Sequence, residues 1–254
     1  MNQTLAIAIN TFKETVRDRI LAVIVLFALA MIVASLWLAS LSLGQGMRMM
    51  RDFGLVAVSL FGLIVAVFVA GNLVHKEVEK RTVFVLFSKP VGRSEFIWGK
   101  FLGLAATMFV VVAGMGLFLL VIIWLVAHVL LGSLIVATLL TFVQLAVVMA
   151  VTLFFSTFTS AILASVLGVC VFAAGQLSTN VLALSRVGHS ALLKGLSWVV
   201  FLLVPNLTAI DVKGALAGEG GAHWGTIGGW TAYLLAYIVL CLVGAALVFR
   251  RKEF

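Results

Sequence analysis

Residues His75–Lys100 read HKEVEKRTVFVLFSKPVGRSEFIWGK, by far the most charged part of an otherwise apolar chain. Lys76, Lys80, Arg81, Lys89, Arg93 and Lys100 alternate there with Glu77, Glu79 and Glu95. Uncharged apolar runs press in from both sides, Phe53–Val74 before it and Phe101 onward after it. A stretch of this kind must lie in water while its flanks enter hydrocarbon, which decides the fold class: an all-α protein that crosses a membrane repeatedly.

Composition agrees. The 254 residues are 64% hydrophobic and 10% charged, with a mean hydropathy of +1.27. A soluble domain carries about a quarter charged residues and just under half apolar ones. The net charge of +8 would suggest nucleic acid in a soluble protein. Here the cations gather at the ends of apolar runs, so membrane orientation explains them and no nucleic-acid partner is expected. Cys170 and Cys241 sit singly inside apolar runs and read as packing residues, with no metal expected.

Working outward, residues 1–19 read as an interfacial helix, with Leu5, Ile9, Phe12 and Val16 on one face. Arg17 and Arg19 would lie among lipid phosphates; a frayed tail is the alternative. The apolar run 20–43 is too long for a signal-peptide core, and Glu14 and Asp18 precede it, so it reads as a retained first span. Gly44–Asp52 reads as a polar turn and 53–74 as the second span. From Phe101 to Ser185 there is no Asp, Glu, Lys or Arg. At about 20–25 residues per span, that length holds three helices, expected near 101–127, 134–155 and 161–182, with breaks around His128–Ser133 and Ser156–Ser160. The connection 183–229 contains an apolar run, 189–204, too short to span and stopped by Pro205. It reads as re-entrant or interfacial, followed by the sixth span at 230–249. Six spans put both termini on one side. Twelve Lys and Arg fall on that side and five on the other, which makes the side of the termini, and of 75–100, cytoplasmic, and the 183–229 connection extracytoplasmic.

The spans carry no Asp, Glu, Lys or Arg, which argues against a proton-coupled carrier. Gln144, Gln176 and Asn180 read as interhelical hydrogen bonders. Enzyme motifs are missing. A phosphate loop ending at Gly99-Lys100 would need Gly at 94 and Ser or Thr at 101, where the chain has Ser94 and Phe101. No cofactor is expected on this chain, and energy for uphill transport must come from another. Gly99 with Gly103, and Ala161, Ala164, Ser165 and Gly168, have the spacing that lets helices approach closely; the latter four are candidates for dimer packing.

The charged stretch has an internal design. Glu77 and Arg81 are spaced i, i+4 with the acid first, extending the second span's helix into water. Thr82–Phe87 (TVFVLF) is an apolar hexamer between charge clusters, able to offer Val83, Phe84 and Phe87 to a partner's groove. Pro90 and Gly92 break the chain, Ser94 is a good N-cap, and Glu95 suits the first turn of the next helix. An ordinary cytoplasmic loop would not need the hexamer.

Glu77-Val-Glu79-Lys80-Arg81-Thr82, then Leu86-Phe-Ser88-Lys89-Pro90-Val-Gly-Arg93 and Gly99-Lys100, resemble the loop between spans two and three of ABC-2 type permeases. The likeness is greatest to the branch linked to multicopper-enzyme maturation, with Arg81 where many members have Gly. Pro205-Asn206-Leu207 with Asp211 also resembles a segment before the last span there. The resemblance implies a permease of a bacterial or archaeal cytoplasmic membrane, paired with a second copy or a related permease. It implies docking on a separate ATP-binding subunit that carries ATP and Mg. A coupling helix between spans two and three, and half-helices between spans five and six, come with it. On that reading Glu77, Glu79, Lys80, Arg81, Thr82, Val83, Phe84, Phe87, Pro90 and Arg93 receive the motion of the ATPase. The expected function is an exporter permease, itself without enzyme activity. The alternatives are a membrane scaffold or assembly factor without a transport cycle and, less favoured by the charge-free spans, a secondary carrier or channel.

Overall fold

A computed structural model describes residues 3–40, 45–79, 93–128, 132–187, 205–207 and 224–251. Among these residues every regular element is a helix: α1 (Gln3–Val16), α2 (Arg19–Ser40), α3 (Gly46–Glu79), α4 (Arg93–Ala127), α5 (Gly132–Ser156), α6 (Ala161–Val187) and α7 (Trp224–Arg251). Helices α2 to α7 each hold a stretch long and apolar enough to cross a bilayer, so among the described residues the protein is all-α, with six candidate spans of an integral membrane protein. Helix is the outcome hydrocarbon demands, because no water is there to bond a free N–H or C=O.

The ends of the helices differ from the sequence reading in instructive ways. Gly44–Asp52, expected as a turn, supplies the first turns of α3 from Gly46 onward. Met47, Met49 and Met50 are good helix formers, Met50 is buried, and Arg51 Nε reaches Asp52 Oδ1 at 3.3 Å. Helix α4 begins at Arg93, which places Ser94 inside the first turn rather than at its cap, with Glu95 behind it. Asp18 caps α2: its Oδ1 accepts the Ile20 N–H at 3.0 Å.

The two turns inside the charge-free region close their own polar groups. His128 ends α4 in the left-handed conformation (φ 53°), its N–H donating to Trp124 O at 2.9 Å. At the end of α5, Ser156 Oγ, Thr157 Oγ1 and Thr159 Oγ1 donate to the carbonyls of Leu153, Phe154 and Phe155 at 2.8, 2.7 and 2.8 Å. Those carbonyls are among the last of the helix, and Phe154 O and Phe155 O also accept the backbone N–H groups of Thr157 and of Phe158 and Thr159. The Ser-Thr-Phe-Thr-Ser turn supplies them from within.

Helix α5 is the centre of the bundle and packs on α3, α4, α6 and α7. Its apolar stretch is 72% buried, against 22% for α2. The buried run Leu145–Val151 fills the middle. Thr138, Thr141 and Thr152 are buried too, each hydroxyl donating to the carbonyl four residues back at 2.8–2.9 Å. Helix α2 instead leaves Leu26, Phe27 and Trp37 exposed, as a lipid-facing helix does.

Helix α1 packs along the foot of α4. Its buried residues are Ala8, Thr11 and Thr15, while Leu5, Ile9 and Val16 of the expected apolar face stay exposed. The notch at Gly99 and Gly103 explains this choice. A Cβ at Gly103 would lie 2.7 Å from Thr11 Cβ, and one at Gly99 would lie 2.9 Å from Ile7 Cβ. Small side chains on α1 let the two backbones close. Nearby, Phe96 of α4 stacks on Phe249 of α7 with ring centroids 5.8 Å apart, and Lys100 Nζ lies 5.7 Å from the Phe96 centroid. The N-terminal helix, the start of α4 and the end of α7 therefore share one end of the bundle.

Gly103→Leu should force α1 off α4 at about 1–3 kcal/mol of overpacking. The expected outcome is a lower thermal unfolding midpoint in detergent and faster proteolysis at Lys13 and Arg17. Gly114→Leu, at an exposed glycine with open space around it, should change neither.

Candidate functional site

The bundle has a polar centre. Gln144 lies near the midpoint of the 25-residue α5, and its Nε2 donates to the backbone carbonyl of Leu207 at 2.7 Å. Pro205-Asn206-Leu207 is non-helical, and Pro205 and Leu207 are buried. Ser178 of α6 donates from Oγ to Asn206 Oδ1 at 3.0 Å and stands 2.9 Å from Gly175 O. Gly175 makes the room: a Cβ there would come within 2.8 Å of both Leu207 and the Pro205 carbonyl.

Part of the connection between the fifth and sixth spans thus reaches the middle of the bundle. Irregular backbone at that depth survives only where protein surrounds it and supplies its bonds. Here α5 gives an amide, α6 gives a hydroxyl and a notch, and Pro205 has no N–H to satisfy. The groups are an amide pair, a hydroxyl and carbonyls. None of them exchanges a proton at neutral pH, so the arrangement suits holding and releasing a segment rather than chemistry. Among the described residues no three His, Cys, Asp or Glu come together to hold a metal. The half-helices expected around 205–207 lie outside the described residues.

The coupling candidates divide. Glu77 and Glu79 lie in the final turns of α3, and Arg93 is the first residue of α4. Lys80, Arg81, Thr82, Val83, Phe84, Phe87 and Pro90 fall outside the described residues. With 34 and 35 residues, α3 and α4 are each about 50 Å long at 1.5 Å per residue, well beyond the roughly 30 Å of a hydrocarbon core. The end of α3 and the start of α4 bracket residues 80–92 in sequence.

Ala161, Ala164, Ser165 and Gly168 do form one close-packing face, and it is turned into the chain itself. Ser165 Oγ lies 3.3 Å from Val67 O of α3 and 2.8 Å from Ala161 O. Ala164 is fully buried, and a Cβ at Gly168 would collide with Thr152 of α5. This face joins α6 to α3 and α5. Gln144, read as an interhelical hydrogen bonder, bonds instead to the backbone of a connection. Ser178 and Gly175 were not singled out by sequence.

A second feature is an apolar groove of about 350 Å³ between α4 and α5, lined by Phe109, Gly116, Leu117, Leu134, Ile135 and Leu139 among others. Its one hydroxyl, on Thr138, is turned to Leu134 O at 2.8 Å. The groove offers nothing but surface for a hydrocarbon chain.

Compared with known families, residues 5–254 match the family described as ABC-2 family transporter protein. No curated protein matches the chain.

Gln144→Leu keeps the volume and removes the donor, leaving Leu207 O buried without it. The expected loss is about 1–3 kcal/mol, seen as a lower unfolding midpoint in detergent and faster amide exchange at Asn206 and Leu207. Ser178→Ala should cost less, because the hydroxyl it removes is not the donor that holds the backbone.

Proposed function

Because the chain belongs to the ABC-2 transporter family, we propose that it is the permease subunit of an ATP-driven exporter, powered by a separate ATP-binding subunit. The observation that carries this reading is the overshoot of α3 and α4, whose charged ends flank 80–92. A rigid helix that continues out of the bilayer delivers a push at its end to the span it belongs to. Helix α3 delivers it past Gly71, whose surroundings are Ser165 and Ala161 of α6, and α4 delivers it beside α5.

In this reading Glu77, Glu79, Arg81 and Arg93 fix the orientation of the coupling segment. Val83, Phe84 and Phe87 seat it in a groove of the ATPase, and Lys80, Thr82 and Pro90 shape its turn. ATP and Mg are held by that partner, and this chain performs no hydrolysis. The protein sits in a bacterial or archaeal cytoplasmic membrane with both termini and residues 75–100 on the cytoplasmic side, as the distribution of Lys and Arg favours. It works with a second copy of itself, docked elsewhere than on the small-residue face of α6, which its own chain fills. The loop motif and Pro205-Asn206-Leu207 support the branch linked to multicopper-enzyme maturation.

Charge reversal at Glu77, Glu79 or Arg81, or deletion of Val83–Phe87, should uncouple the cycle. In proteoliposomes holding the permease and its ATPase, hydrolysis should continue while transport falls roughly tenfold or more. Transport at the wild-type ratio to hydrolysis in all these variants would leave the coupling assignment without support. A scaffold without a transport cycle would show no ATP-dependent transport at all.

A further inference from the structure

Helix α1 presents three different faces. Ala8, Thr11 and Thr15 are fixed against α4 at Gly99 and Gly103, and Leu5, Ile9 and Val16 form an exposed apolar stripe beside them. With 3.6 residues per turn, Lys13 borders that stripe on the side away from α4 and Glu14 falls roughly opposite it, while Arg17 follows in the turn directly after the helix. Both cations are exposed. Asp18, the other acid nearby, is turned to the start of α2, where it accepts the Ile20 N–H. So the edge of the apolar stripe is positive, and the two carboxylates lie off it.

The depth of α1 follows from where it crosses α4. Contact is made at Gly99 and Gly103, and the uncharged run of α4 begins at Phe101. The first span, α2, starts three residues after α1 ends, which ties both helices to one membrane boundary. An apolar stripe with a cationic border at that level meets acyl chains with one side and headgroups with the other.

We propose that α1 is a docking surface for anionic phospholipid headgroups, read by Lys13 and Arg17, and that its contact with Gly99 and Gly103 passes lipid binding to the start of α4. The occupant is set by charge and position: a bilayer surface covers the stripe, and negative headgroups complement its border. The consequence is regulatory. The same turns of α4 follow directly on residues 80–92, so anionic lipid steadies the helix through which the coupling segment enters the bundle. The binding itself needs only a membrane-spanning chain; the regulatory consequence rests on the permease reading.

The test uses the full chain in nanodiscs of phosphatidylcholine, with and without phosphatidylglycerol, and follows hydrogen exchange of the amides of 3–16 and 93–103. Anionic lipid should slow exchange in both segments by roughly five- to thirtyfold, the change that about 1 kcal/mol for each of two basic residues converts to. Lys13→Gln/Arg17→Gln should abolish the slowing and leave the rates in pure phosphatidylcholine unchanged, a control that the variant is folded. Equal rates in the two lipids overturn the proposal, as does slowing that survives in the double variant. Slowing that appears only when an ATP-binding subunit is added would assign the basic border to that protein and equally overturn it. Because no ATPase or transport assay enters, the outcome is independent of whether the permease reading stands.

Discussion

A backbone carbonyl in the middle of a membrane bundle must have a donor, and the fold is arranged around meeting that demand at Leu207. Elsewhere in the described spans the helices bond their own backbones, and most threonine and serine hydroxyls fold back on the carbonyls of their own turns, Ser165 also reaching Val67 O of α3. At Pro205-Asn206-Leu207 the helix solution fails. The donor comes from Gln144, 63 residues away, and it can reach only because α5 is the central helix and Gly175 thins α6 at that level. In hydrocarbon an unmatched carbonyl is destabilising enough that this pairing selects one placement of the segment. A bond from a side chain to a connection is also easier to break and remake than a bond within a helix.

The rest of the packing follows a single device, small residues letting backbones approach where apolar side chains give no preference for protein over lipid. It acts three times at named places. Gly99 and Gly103 receive α1, Ala161, Ser165 and Gly168 receive α3 and α5, and Gly175 receives the Pro205–Leu207 segment. The first of these fastens the N-terminal helix to the very turns of α4 that follow the charged stretch. The second joins α6 to the span that precedes it. Helix α4 therefore contacts α1 directly, and α3 contacts α6.

Most of the fold was legible in the sequence, and the reasons are physical. Eighty-five residues without a charge leave few ways to be arranged, and hydroxyl-rich breaks at 156–160 and the left-handed His128 stand where the apolar runs pause. What stayed hidden involves groups without a readable signature. Thr4, Ala8, Thr11 and Thr15 repeat at the same spacing as Leu5, Ile9, Phe12 and Val16, yet a stripe of threonine and alanine looks merely polar until Gly99 and Gly103 are seen opposite it. The spacing of Ala161, Ser165 and Gly168 announces a close contact but not with which chain. Leu207 could not be paired with Gln144, because its partner atom is a carbonyl that every residue owns. The beginning of α3 was misread for a similar reason: Arg48, Arg51 and Asp52 look like a loop, while the methionines between them favour helix.

The central claim is that this chain turns work done elsewhere into motion of its spans, and that the charged stretch is where the work arrives. The most direct measurement is to purify the tagged chain from its native membranes in mild detergent and weigh the complex with and without Val83–Phe87. The account predicts an ATP-binding subunit at one copy per permease, lost when those residues are deleted while the helical bundle stays folded. A chain that purifies without an ATP-binding partner, or one that keeps it in full after the deletion, would contradict the account.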